Sequence, residues 1–148
     1  MKELCPDSFY RGISPANVQD GFLLPETFHS DGGRDDGFEE ISITWNDEEA
    51  AFRTIASQIN DRTGKLQFSA GISKIKREEF DIRMKPQVLI NNIDYERRPT
   101  KNNQYHGNIL VRENLTKVVK NMLKAQLALL AQGCILDNPY VKMTADSE

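Results

Sequence analysis

The clearest periodicity in the chain lies near its end. There LTKVVKNMLKAQLALLAQ puts Leu115, Val118, Val119, Met122, Leu123, Gln126, Leu129 and Leu130 at the i, i+3, i+4, i+7 spacing of one helical face. Lys117, Lys120 and Lys124 fall outside that face, and Gly133 follows as a stop. The pattern predicts a helix over about 114–132 whose stripe faces a core in preference to a docked partner helix. A second helix is expected over about 46–60: Asn46 can cap it, Asp47, Glu48 and Glu49 suit the positive end of the dipole, and Ala51, Phe52, Ile55, Ala56 and Ile59 recur at helical spacing. Alternation of Leu66, Phe68, Ala70 and Ile72 with polar neighbours predicts a half-buried strand. SFYRGIS at 8–14, FEEISITW at 38–45, QVLIN at 87–91 and GNILVRE at 107–113 are strand-like by their β-branched and aromatic content. Turn-forming SPANVQDG, LLPE and HSDGGRDDG separate them in the front third. Strands and helices without regular βαβ alternation indicate an α+β fold, a mostly antiparallel sheet with both helices packed on it. A single domain over 1–148 is expected, with a polar, frayed tail at about 143–148.

Composition agrees with a folded domain. Of 148 residues, 39% are hydrophobic and 28% charged, with a mean hydropathy of -0.56; a chain of about 150 residues buries roughly 70% of its unfolded surface. The longest apolar runs are far short of the roughly 18 residues a membrane span needs. The opening MKELCPDSFYRG carries no apolar leader segment, from which a cytoplasmic location is expected. Cys5 and Cys134 are too few and too distant for a disulfide framework or metal knuckle, and read as thiols used for packing.

Charge changes the picture more. Residues 1–50 carry 3 basic and 12 acidic side chains, residues 51–124 carry 15 basic and 7 acidic, and the remainder 1 basic and 3 acidic, for a net charge of -3 over the whole chain. Either the halves neutralise one another within the fold, or they offer faces of opposite sign to partners. The acidic segment with Asp31, Asp35, Asp36, Glu39 and Glu40 would meet a basic protein surface, such as a basic toxin or effector. Arg97, Arg98 and Lys101 are candidate anion-binding residues just before His106. The stretch YERRPTKNNQYH mixes bases, amides and tyrosines, but net acidity and the lack of a recognition motif disfavour nucleic acid.

No phosphate-binding glycine loop, dinucleotide fingerprint, H-E-x-x-H or G-x-S-x-G occurs, and the acidic segment lacks the spacing of a calcium loop. With two histidines, no metal site is expected. Three residues nevertheless invite chemistry. Arg11, in the aromatic strand FYRG, can fork toward a carboxylate or phosphate, or serve a structural ion pair. Ser42, sharing a strand face with Thr44 in SITW, can flank a ligand or lie on an exposed strand face. His106, at the opening of a strand, can act as acid or base, or make a structural hydrogen bond.

The strand-borne YRG followed by SITW resembles the Arg and Ser layout of ADP-ribosyltransferase-fold proteins over about a dozen positions. The resemblance implies that Arg11 grips the phosphates of NAD, Ser42 braces the nicotinamide side and Glu78 or Glu79 stabilises a cationic sugar. KREEFD departs from that family's spaced acidic motif, which puts the carboxylate in doubt. The chain also resembles small bacterial proteins of defence or toxin–immunity loci that open with an aromatic-Arg strand and close with a His-Gly strand before a helix. The leading expectation is a non-catalytic protein-interaction module, an immunity or accessory component of a toxin or anti-phage system without cofactor. The alternative is a small NAD- or nucleotide-processing enzyme using Arg11, Ser42 and His106; convergence of these three on one cleft would favour it.

Overall fold

The computed structural model describes residues 6–45, 49, 52–84 and 92–141. Its frame is a six-stranded sheet, antiparallel at every ladder. In chain order come β1 (Ser8–Ile13), a hairpin of β2 (Val18–Gln19) and β3 (Phe22–Leu23), β4 (Phe38–Trp45), β5 (Gly71–Lys76), α1 (Arg77–Met84), β6 (Ile93–Arg97), β7 (His106–Arg112), α2 (Lys117–Gln132) and β8 (Ile135–Leu136). The large sheet runs β6-β7-β4-β1-β5-β8, and the α+β class read from the sequence holds. In the hairpin, Asp20 and Gly21 both have positive φ (53° and 83°), as the tight turn of a two-residue hairpin demands.

Two of these ladders differ in a way that matters. β4 pairs with β7 over seven residues and β1 with β5 over six, whereas β1 and β4 share only Phe9↔Trp45 and Tyr10↔Thr44. The sheet is thus two well-paired halves hinged by two residue pairs, and beyond Tyr10 the strands part.

Alternate residues of β1 serve two cores on opposite faces of the sheet, as the period of two requires. Phe9 and Ile13 join Ile41, Ile43, Trp45, Ile109 and Val111 beneath the two α-helices, which contribute Phe80, Met84, Leu123 and Leu127. Tyr10 joins Ile55, Ala56 and Ile72 on the other face. Ile55 and Ala56 of the expected 46–60 helix therefore pack across the sheet from α2 rather than beside it. Of that segment, Asn46, Asp47, Glu48 and Ala51 lie outside the described residues; Glu49 is helical and Phe52–Ala56 forms a π-helical turn. Helix ends there because side chains take over the free carbonyls: Ser57 Oγ donates to Arg53 O and Gln58 Nε2 to Thr54 O, so residues 57–60 leave the helix.

The long helix starts at Lys117, capped by Thr116, whose hydroxyl accepts from the Val119 N–H. Its buried stripe is Leu123, Leu127, Ala128 and Ala131; Val118 and Leu129, assigned to the core face by spacing, are 77% and 60% exposed. Leu115, Val119, Met122 and Leu130 of the expected face are partly buried against the core. Strand β5 begins only at Gly71; of the alternating residues, Leu66 makes an isolated bridge with Ile59 and 67–70 form turns. Arg77–Met84, not expected as a helix, is α1, while the expected strand at 87–91 and the tail 143–148 lie outside the described residues. No helix among the described residues is long and apolar enough to cross a membrane.

Candidate functional site

Where β1 and β4 separate, a cleft of about 420 Å3 opens on the Tyr10 side of the sheet. Arg11 marks the split. Its Nη1 donates to the main-chain O of Ser42 (2.6 Å), so the side chain replaces the ladder hydrogen bond that the parted strands no longer make. Its Nε donates to Thr27 O (2.5 Å) and its Nη2 to His29 Nδ1 (3.2 Å). Thr27 and His29 are placed by a 3-10 turn, Pro25–Phe28, whose proline occupies the first position, where no N–H is needed. The buried ring of Phe28 lies 5.9 Å from the guanidinium carbon.

None of the three partners of Arg11 is a carboxylate. Among the described residues no carboxylate reaches it at ion-pair distance. Burial pushes its pKa down to about 10, against a smaller upward pull from the charge of Asp31. It stays protonated at neutral pH, at a desolvation cost on the order of 3 kcal/mol. A guanidinium has five N–H donors, and one on each terminal nitrogen remains for a ligand.

The second wall is β4 with β7. Ser42, Thr44 and His106 share the cleft face of the sheet, and Thr44 stands opposite His106 in the register. His106 Nδ1 lies 2.9 Å from Arg98 O. A carbonyl only accepts, so Nδ1 carries the proton and Nε2 is the basic nitrogen. Thr44 is buried and its Oγ accepts from Asn103 Nδ2 (3.0 Å), while Asn103 Oδ1 accepts from the Tyr105 N–H (3.0 Å). The Thr44 hydroxyl proton is thereby left to donate. On the other side, Tyr10, Ile55 and Phe68 supply an apolar wall, and a side chain at Gly12 would collide with the Phe68 ring.

Arg11, Ser42 and His106 are thus brought to one cleft, which the sequence could only pose as a question. Asp31, read as a partner-binding acid, lines it too, its backbone held by paired hydrogen bonds with Glu40. His29, Asn103, Gln58 and Gln67 also line it and were not singled out. The usable signal was that the chain has only two histidines, since both face this cleft. Glu78 and Glu79 are exposed in the first turn of α1 and do not line it, which removes the carboxylate role implied for them. Of the other proposed anion binders, Arg97 donates to Gln104 O, Lys101 is exposed, and Arg98 stands 3.6 Å from Glu96 beside a neighbouring polar pocket.

That polar pocket has a different character. Arg34 is forked among Asp36 (2.7 Å), Glu40 (2.8 Å) and Glu96 (2.5 Å). Its pKa is raised, first by the hydrogen bond with Asp36, and those with Arg34 hold Asp36 and Glu96 below the usual carboxylate range. Glu39 is likewise lowered by its ion pair with Lys120. Three of the carboxylates expected to meet a partner, Asp36, Glu39 and Glu40, are therefore engaged within the chain; Asp35 is exposed.

No metal-holding group of acidic, histidine and cysteine side chains occurs among the described residues. Comparison with family models, curated proteins and solved structures finds no match.

Proposed function

We propose that this protein is a small enzyme acting on NAD or a related nucleotide, with the split-sheet cleft as its active site. The supporting observation is the partly buried Arg11, without a carboxylate partner among the described residues, in the same cleft as His106, Ser42 and Thr44. An anionic phosphate supplies the countercharge that the fold withholds. The resemblance of YRG and SITW to ADP-ribosyltransferases points the same way. The interaction-module reading has less support, because Asp36, Glu39 and Glu40 already serve Arg34 and Lys120.

In this reading Arg11 grips phosphate, and Ser42 and Thr44 orient the substrate. The bond between nicotinamide and the ribose breaks, with nicotinamide leaving with the bonding electron pair. The oxygen of water or of an acceptor hydroxyl forms the new bond to the ribose carbon, and its proton passes to His106 Nε2. Asp31 is the carboxylate among the cleft's lining residues for the developing positive charge on the sugar. Incubation of purified protein with labelled NAD and cell lysate tests this. Nicotinamide release or label transfer that disappears in a folded His106→Gln variant is expected; absence of both turnover and NAD binding in the wild type would refute the reading.

A further inference from the structure

Two glutamines that line the cleft have fixed and complementary orientations. Asn60 Oδ1 accepts from the backbone N–H groups of Arg62 (2.9 Å) and Thr63 (3.3 Å), so its amide nitrogen must be the group facing Gln67. Asn60 Nδ2 donates there (2.9 Å), which makes the facing atom of Gln67 its Oε1 and turns the Gln67 NH2 away from Asn60. Gln58 donates through Nε2 to Thr54 O, leaving its Oε1 without a partner among the described residues. The Gln67 N–H donates to Gln58 O (2.9 Å), so the main chain holds the pair side by side across the Ile59↔Leu66 bridge. Both glutamines line the cleft with Phe68, next in sequence to Gln67.

We infer that Gln58 and Gln67 form a subsite for the edge of a planar heteroaromatic ring that carries a hydrogen-bond donor beside an acceptor, with the ring lying against Phe68. Gln58 Oε1 takes the donor and Gln67 Nε2 meets the acceptor, the bidentate pattern by which an amide reads a base. Adenine presents this pattern at its amino edge, and nicotinamide presents it in its carboxamide. The inference rests on the nucleotide reading of the cleft and adds which part of the molecule is recognised away from the phosphate.

Calorimetric titration of the full chain with three probes tests it. ADP-ribose carries adenine without the carboxamide, nicotinamide mononucleotide carries the carboxamide without adenine, and ribose 5-phosphate carries neither. The variant Gln67→Glu keeps an oxygen for Asn60 and replaces the NH2 donor by a charged carboxylate oxygen that repels all three phosphate-bearing probes alike, so only loss beyond that of ribose 5-phosphate reports the subsite. Gln58→Leu removes the acceptor without adding charge. Each variant is expected to weaken ADP-ribose or nicotinamide mononucleotide by about 5- to 100-fold, and the probe affected identifies which ring sits there. Ribose 5-phosphate should change far less. An equal loss for all three probes in Gln67→Glu, with no selective loss in Gln58→Leu, would sink the subsite while leaving the cleft reading intact. Failure of all three probes to bind the wild type would overturn both.

Discussion

Arg11 and Arg34 each cross between chain segments on the same molecule and each satisfy several acceptors, yet the fold treats them in opposite ways. Arg34 is surrounded by three carboxylates and its charge is reinforced. Arg11 meets two carbonyls and an imidazole, and burial works against its charge. A cation compensated inside the chain has done its work once folding is complete, whereas one left uncompensated in a cleft favours an anion brought from outside. Chain separation of charge, so evident in the composition, resolves in part accordingly: Asp36, Glu39 and Glu40 of the front segment close on Arg34 and Lys120, and Arg11 is left over.

The comparison can be broken or sharpened experimentally. The largest effect is expected at His106, in the Arg11 cleft, where His106→Gln should lower kcat on the order of 100- to 10,000-fold with an unchanged melting profile. Arg11→Lys keeps a charge but loses the fork, and should weaken binding of ADP-ribose on the order of 100-fold in a calorimetric titration. At the other centre, Arg34→Met should behave in reverse. It strands Asp36, Glu40 and Glu96 around one another and should cost about 2–3 kcal/mol in a denaturant melt, with ligand affinity changed by less than about twofold. If Arg34→Met instead abolished ligand binding, the division of labour between the two arginines would be wrong.

The smallest effect concerns acid. Glu39 and Glu96 have folded pKa values below their ordinary 4.5, so the stability their ion pairs contribute is fully present above that pH. It is lost as pH falls through the lowered folded values, because the unfolded chain takes up protons first. Melting temperatures measured from pH 7 to pH 3 should fall below about pH 4.5, and the acid-dependent part of the fall should shrink in Lys120→Met, which removes the partner of Glu39.

Much of the sheet was legible in the chain. FEEISITW coincides with β4 and SFYRGIS spans β1, because their β-branched and aromatic residues suit a pleated, buried surface. The long helix was legible in extent and in most of its face, since Leu115, Val119, Met122, Leu123 and Leu130 meet the core, whereas Val118 and Leu129 are apolar without being covered. α1 escaped notice because REEFDIRM buries only Phe80 and Met84 and shows little amphipathic contrast. Alternation at 66–70 misled because Gln67, Phe68 and Ala70 line or bound a turn whose hydrogen bonds go to Gln58 and Ile13 rather than to a full ladder.

Composition and local pattern alone determined that this chain builds an antiparallel α+β domain, that Arg11 rides an aromatic strand and that His106 opens another. These follow from short-range periodicity, which any stretch of six to fifteen residues expresses by itself. Only the tertiary structure decided that β1 and β4 part after two residue pairs, that Arg11 fills the gap and that Ser42, His29 and His106 gather there. Strand register depends on contacts between residues up to 74 positions apart, as between Phe38 and Arg112, and the countercharge that Arg34 receives and Arg11 lacks on contacts such as Arg34 with Glu96, 62 positions apart. No local pattern encodes such contacts, because they exist only once the two half-sheets have met.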